Sequence, residues 1–465
     1  MQKKRAIILG AGISGLATAW YLNRTNVPMD ITIVEKSDRA GGWLHTDHSK
    51  GFHFEKGPRT FKVDKCPHTI QLMAELGMES DVVWSQARPH HRYLWSQGEL
   101  HRFPTNPFSF MVSPITKGFL RALLMEWKKP QKMGDETVWE FVLRRFNYDV
   151  ARLFFDPMVV GIFGGDIRKI SVRACFPRLK QWEETHGSVT KGMLAHMKEK
   201  RKMSPFSEHI PTLPLSAIFS FRAGIEQLPC ALVDQIPATI HYNTEVQGIR
   251  FEEGRVVVDA DGMQVEGDYL FSALPVKQTA KLLKSHAKEV SVEFSRIFSE
   301  GIAVINFGYD AKVLPVQGFG YLTPTYAGED ILGVVFDSSV FPEHNRTPQE
   351  TRLTIKIQET GRAEEDYIQA ALKGIRRHLG ISQMPKAVSF KRAIDAIPQY
   401  GVGHLERIGE LKQALRAQLP QLHLVGSYLR GVSVDQCIAR AKEAVNEWQA
   451  AACTTCARVV GATSL

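Results

Sequence analysis

The apolar positions of the chain form a few sharply bounded runs. "AIILGAGISGLATAWYL", residues 6–22, begins as a four-residue apolar strand, breaks at three glycines and continues with helical periodicity. "DITIVEK" (30–36) reads as a second strand ending in Glu35. "IHYNTEVQGIRFEEGRVVV" (240–258) predicts a strand containing Val246 and then a hairpin around Glu253-Gly254, and "GDYLFSALPV" (267–276) predicts a further strand. "LHLVGSYLRGVSVDQCIARAKEAV" (422–445) runs strand, glycine turn, helix; beyond Trp448 the pattern gives way to a small, polar tail over 451–465. In "PITKGFLRALLMEWKK" (114–129), Phe119, Leu123 and Trp127 recur at i, i+4 and i+8 beside Lys117, Arg121 and Lys128. No apolar run approaches the roughly 18 residues that a membrane-spanning helix needs.

With 465 residues, 44% apolar and 23% charged, the chain is expected to fold into two or three globular domains with room for a large cofactor. Met1 to Arg5 is a short basic lead without an apolar signal region, and the six scattered cysteines suit a reducing cytosol. Cys453 and Cys456 make a C-x-x-C that lacks a second pair or histidines at zinc spacing, so it reads as tail without function. His90, His91 and His101 likewise lack ligand spacing, and no metal is expected.

The formal charge of +9 is uneven: between His90 and Thr212, 20 Lys and Arg stand against 12 Asp and Glu, which leaves about +1 for the rest. Such a surplus suits nucleic acid, anionic lipid or an acidic small molecule. No nucleic-acid module is recognisable, which leaves the latter two. "HHRYLWSQGELHR" (90–102) concentrates this basic character.

Gly10-x-Gly12-x-x-Gly15 sits between strand and helix, the setting a dinucleotide fingerprint requires. Gly10 makes the tight turn, Gly12 admits a pyrophosphate, and Gly15 lets the helix approach the strand, so that Ala11, Ile13 and Ser14 also border the phosphates at the helix amino end. Glu35, 20 residues after Gly15, is placed to bind a ribose, with Lys36 beside it. "KSDRAGGWLHT", with Arg39, Gly41, Gly42 and Trp43, resembles the extended pyrophosphate motif of the amine-oxidase-like FAD superfamily. So do "FSFRAGIEQLPCALVDQI" (219–236), where Ala223 replaces a glycine, and the terminal Gly426, Ser427, Val432, Ser433 and Val434. The resemblance implies FAD, with Val246 meeting the adenine by its backbone and the last helix facing the pyrimidine edge of the flavin.

"HFEKGPRTF" (53–61), "HRYLWSQGELHRFPTNPF" (91–108), "GIFGGDIRKISVRACFPRLKQWEETHGSV" (161–189) and "GFGYLTP" (318–324) together resemble protoporphyrinogen oxidases over nearly the whole chain to about Trp448. The resemblance implies an FAD-dependent enzyme that oxidises protoporphyrinogen IX to protoporphyrin IX in heme biosynthesis, with the cofactor held non-covalently. Arg92 then pairs with a propionate of the tetrapyrrole, Leu322 and Val335 supply apolar wall, and the Gly161 carbonyl orients the ring. Gly57, Pro58, Arg59 and Thr60 press on the flavin, Arg59 as a cation for the reduced ring. Strand core for Leu322 and Val335, and ion pairs with protein acids for Arg92 and Arg59, are the structural alternatives. No paired carboxylates or Ser-His-Asp set is present or required.

The expected fold is α/β: a Rossmann-like FAD-binding domain built from discontinuous segments (1–97, 219–285, 400–450), an antiparallel-sheet substrate domain (98–110, 201–218, 286–399) and a mostly helical basic insert (111–200). The insert is expected to rest on an anionic membrane or to pack on the main body, which gives a cytoplasmic protein, peripheral at the membrane's inner face. A homodimer is compatible with this. A coproporphyrinogen III oxidase of the same fold, an FAD amine oxidase, for which only Tyr428 offers an aromatic at the flavin, and a non-enzymatic GDI-like carrier are the rival functions.

Overall fold

A computed structural model of the protein describes residues 3–462 apart from 86–90, 105–112, 114–115, 117–118, 203–216 and 253. His90, Lys117 and Glu253 lie outside the described residues. The apolar amino-terminal strand Lys4–Leu9 is the middle of a five-stranded parallel sheet, in the order Ala238–His241, Met29–Val34, Lys4–Leu9, Tyr269–Ser272, Leu422–Leu424. The two central strands, Lys4–Leu9 and Tyr269–Ser272, are buried on both faces and carry continuous apolar runs, whereas Met29–Val34, Ala238–His241 and Leu422–Leu424 interleave polar residues. One face packs on helix Ile13–Asn23 and the last helix through Leu16, Trp20, Ile438 and Trp448. The other packs on the antiparallel meander of residues 246–267 and on helices Val276–Leu283, Lys288–Ser295 and His404–Gln418.

The second domain is a seven-stranded sheet in the order Ala387–Pro398, Ser299–Tyr309, Thr351–Gln358, Ile331–Val335, Gly320–Leu322, Arg92–Ser96, Glu99–Arg102. It is antiparallel except where Gly320–Leu322 meets Arg92–Ser96 in parallel. Helix Glu364–Leu379 covers one face and buries Tyr321, Val334, Ile355 and Ile305.

Three expected boundaries move. The division at 97/98 falls inside a two-residue turn in which Gln97 (φ 55°) and Gly98 (φ 82°) both take left-handed backbone, the geometry of tight hairpins. Arg92–Ser96 therefore belongs to the seven-stranded sheet with its hairpin partner. Helix Lys288–Ser295, expected in the substrate domain, buries Val290 and Phe294 in the nucleotide-domain core. The tail expected at 451 is helical: the last helix runs Val434–Ala462 and takes in positions 453 and 456.

The helical insert has its own core around Phe141, Val142, Val159, Phe163 and Ile170. Its buried glutamates are spent internally. Glu126 pairs with Arg145 and accepts bonds from Ser188 Oγ and the Val189 and Thr190 amides, while Glu136 and Glu183 hold Arg144 and Lys180. The surplus is thereby left on cations such as Arg121, Lys128, Lys191 and Lys198, which have no acidic partner among the described residues. Phe119 and Leu123 pack inward, so of the expected face only Trp127 is outward; the exposed apolar residues of that helix are Leu120, Leu124 and Met125. Leu194 and Met197 extend this surface on the adjacent helix Val189–Lys202.

Candidate active site

The carboxyl edge of the parallel sheet brings the fingerprint residues together. Gly10 turns with φ 93° and its amide donates to the Val34 carbonyl (2.8 Å), which ties the first turn to the second strand. A methyl group on Gly15 would stand 1.9 Å from the Gly10 carbonyl oxygen, so the helix sits where only glycine fits. At Gly12 the same methyl would meet nothing closer than Gly42 Cα at 4.0 Å, which leaves an open wedge above a helix whose first turn has no side-chain cap. Uncapped amides over an open wedge suit a pyrophosphate.

Glu35 Oε2 accepts the Ala11 amide (2.7 Å), and Oε1 accepts the amide and hydroxyl of Ser37 (2.9 and 2.6 Å). Thr244, at the foot of the Val246 strand, donates its amide to the Glu35 carbonyl (2.9 Å). Lys36 beside it is exposed. Arg39 braces the glycine loop rather than reaching out of it. Its guanidinium donates to the Ala40, Gly42 and Leu44 carbonyls and to Glu226 at 2.8 Å. That loop lies against Gly12, and Trp43 closes on Gly57, where a methyl would stand 2.0 Å from the Trp43 carbonyl oxygen. At the terminal motif, Gly426 has φ 138°, Tyr400 donates its hydroxyl to the Ser427 carbonyl, and Ser433 Oγ accepts the Gln436 amide (3.2 Å) ahead of the last helix, with Val432 and Val434 flanking it. The residues present fit a dinucleotide: a cradle that a Cβ would fill, a ribose acid and a second helix amino end.

The face of the seven-stranded sheet opposite helix Glu364–Leu379 forms the second half of the candidate site. Cross-strand partners share a face, so the register places Arg92, Gly320, Val335, Thr354 and Asn306 in one row. Leu94, Leu322, Gly333, Lys356 and Val304 form the next. Helix Asp156–Phe163 crosses this face, pinned by Asp156, which accepts the Thr325 amide (2.8 Å) and hydroxyl (3.0 Å). Gly161 in that helix touches Leu322. Arg92 is exposed at the rim with its guanidinium carbon 5.2 Å from the Phe319 ring centre and no carboxylate partner among the described residues. Arg102, ten residues on, contacts the His91 ring instead.

Arg59 makes the ion pair named as its structural alternative. It is buried and pairs with Asp337 at 3.1 Å, and its second nitrogen donates to the Gly57 carbonyl (3.3 Å). Pro58 is exposed beside it and Thr60 is half-buried. Asp337 also accepts the Thr354 hydroxyl (2.7 Å).

A family model for flavin containing amine oxidoreductases matches residues 13–447. Protoporphyrinogen oxidase of Homo sapiens is 33% identical over 466 residues, 95% of this chain and 97% of that protein. The chain belongs to the protoporphyrinogen oxidase family of flavin-containing amine oxidoreductases. Coproporphyrinogen III oxidase of Bacillus subtilis is 25% identical, with 96% and 98% of the two chains covered. A crystal structure from Exiguobacterium sp. 255-15 shares the fold at a TM-score of 0.82, with 24% identity over 96% of this chain and 99% of that one. Cyclohexylamine oxidase from Brevibacterium oxydans IH-35A shares it at 0.69, with 16% identity over 96% and 99%.

Three ionisable residues that sequence reasoning missed stand around Arg59. Asp337 neutralises Arg59. Glu55 is buried among Thr46 Oγ1 (3.0 Å), the Ile225 amide (2.9 Å) and His53 (3.1 Å), and burial pushes its carboxyl up to about 8. Lys356 makes no hydrogen bond or ion pair among the described residues; burial and then Arg59 pull its ammonium down to about 8, against Asp337.

Proposed function

We propose that the protein oxidises protoporphyrinogen IX to protoporphyrin IX with non-covalently held FAD. The observation that carries this reading is the adjacency of a dinucleotide cradle to a sheet face with apolar walls, Leu322 and Val335, and a guanidinium at its rim, Arg92, that has no carboxylate partner among the described residues. A porphyrinogen is a broad apolar ring with propionates on one edge, and a planar fork of donors matches a carboxylate. FAD, when bound, supplies the hydride-accepting ring. The chain's part is to hold the macrocycle by its acidic edge, to wall off water with Leu322 and Val335, and to orient it through helix Asp156–Phe163, where the Gly161 carbonyl is the orienting acceptor. The pyrrole nitrogens release the protons, so no side-chain base is required.

Cys437, nearest the terminal motif, is buried and its thiol is pushed up to about 11 by burial, which suits a non-covalent cofactor. Tyr428, the aromatic an amine oxidase would present to the flavin, is instead in the nucleotide-domain core against Phe294. Anaerobic bleaching of the flavin by protoporphyrinogen, coproporphyrinogen and a polyamine, compared side by side, tests the assignment. Fastest bleaching by coproporphyrinogen would transfer the proposal to that substrate, and bleaching by the polyamine alone would end it.

The exposed Leu124 and Trp127, with Lys128 and Lys191 beside Trp127, support peripheral docking on an anionic membrane from the cytoplasmic side. Among the described residues no helix is long and apolar enough to cross a membrane. Sedimentation with anionic vesicles at low salt, reversed by raised ionic strength, is the expected result; indifference to lipid charge would refute it.

A further inference from the structure

The family likeness assigns the flavin's stabilising cation to Arg59, yet Arg59 carries no net charge to offer: its partner Asp337 stands 3.1 Å away and both are buried. The charge left uncompensated at that point belongs to Lys356. Thr354, two residues before it and therefore on the same face of the strand, donates to Asp337 at 2.7 Å, which fixes Lys356 beside the Arg59–Asp337 pair. In its own row Lys356 has Gly333 on one side, which offers no side chain, and Val304 on the other, which is apolar. Beyond Gly333 stands Leu322, packed on Gly161. From the opposite direction the loop that holds Arg59 rests on Trp43 through Gly57, and so connects to the Gly41–Gly42 turn of the nucleotide cradle. Lys356 thus lies between the apolar wall and the loop that leads from the phosphates. Lys391, past Val304 in the same row, faces Arg39 and Lys56 on the nucleotide side.

Hydride transfer breaks one C–H bond of the substrate and delivers its two electrons and proton to the flavin, which leaves the substrate one charge more positive and the flavin one more negative. We propose that Lys356, and not Arg59, is the residue that stabilises this negative charge, so that it sets the reduction potential of the bound flavin. The inference rests on the functional reading above only for the presence of flavin. A preformed, partly desolvated cation next to developing charge is worth more than the same cation in water, and leaving it without an ion-pair partner among the described residues costs stability that a structural lysine has no reason to incur.

The holoenzyme is purified as wild type, Lys356→Met and Lys356→Arg, and the midpoint potential of the bound flavin is measured by dye equilibration, with flavin content determined first. Lys356→Met keeps the length and loses the charge; it should bind flavin and favour the reduced form less by on the order of tenfold at fixed ambient potential. Lys356→Arg should stay near wild type. Asp337→Asn, which frees the Arg59 charge, should shift the potential the opposite way. Lys391→Met should shift it less than Lys356→Met. A wild-type potential in Lys356→Met, a Lys356→Arg protein as displaced as Lys356→Met, or an equal shift in Lys391→Met would each overturn the proposal. Wild-type protein purified without flavin would sink the functional reading instead.

Discussion

Gly161 and Leu322 are in contact: a methyl group added at 161 would lie 2.9 Å from Leu322 Cδ2. The clash is with the far end of a flexible side chain, so Gly161→Ala should fold, its stability changing by about 1 kcal/mol or less as helix propensity offsets the displacement. The displaced Leu322 enters the space walled for substrate, so kcat/KM should fall severalfold with flavin content unchanged. Gly161→Ala/Leu322→Ala should regain part of that loss, and steady-state kinetics beside thermal melting would show it. If Gly161→Ala turns over like wild type, the Gly161–Leu322 contact does not shape the pocket.

Two glycines of the fingerprint should fail differently. Gly15→Ala forces a methyl to 1.9 Å from backbone, which cannot yield cheaply, and should give little soluble protein. Gly12→Val places its side chain in open space and should fold, but colourless, because the volume filled is the pyrophosphate's. Absorbance at the flavin band per mole of protein, with circular dichroism for folding, separates the two outcomes.

Arg92→Ala should weaken substrate binding by roughly 1.5 to 3 kcal/mol, the range for a charge-assisted hydrogen bond, with flavin content intact. Arg92→Lys should recover only part, since the charge survives and the fork does not. Arg102→Ala is the control, its guanidinium being engaged with His91. Equal losses at both positions would mean that the basic hairpin attracts substrate diffusely and holds it by no fixed contact.

Glu55 predicts a pH window. Its folded value is raised to about 8, above the roughly 4.3 of an unfolded chain, so the stability it contributes is complete below about 4.3 and is lost as pH rises through about 8. His53 and His344, both held down to about 3 by burial, act in the opposite sense, but only below the ordinary histidine value near 6.5. Lys356, lowered to about 8, adds stability with pH only above that point. Between about pH 6.5 and 8 the Glu55 effect therefore stands alone in this cluster, and the melting temperature should decline there. In Glu55→Gln the decline should vanish; a slope equal to wild type would assign it to another group.

The nucleotide cradle was legible in sequence because its parts are local: each glycine, Glu35 and the flanking apolar runs report their own turn and strand. The Arg59 partner was not, since Asp337 lies 278 residues away and nothing in "GPRTF" names it. Lys356 was hidden by its pattern. "TRLTIKIQ" alternates as a half-exposed strand does, and a lysine at a polar position reads as surface. The polar face here looks into the molecule, because the helical insert and the Arg59 loop stand over it. Arg92–Ser96 was assigned to the wrong domain for a related reason: its neighbour Gly320–Leu322 is remote in the chain, so only the Gln97-Gly98 turn signalled where the strand goes.

The order of strands in the parallel sheet has a consequence for how the protein is made. Lys4–Leu9 is synthesised before the other strands of its sheet, but one of its two neighbours is Tyr269–Ser272, and the outer strand Leu422–Leu424 follows later still. During translation, the fingerprint helix and its apolar strand must wait, exposed, for partners that are more than 250 residues from emerging. Flavin capture in consequence waits for Tyr269–Ser272 and Leu422–Leu424, and products truncated before them are left with a sticky half-sheet for chaperones and proteases to recognise.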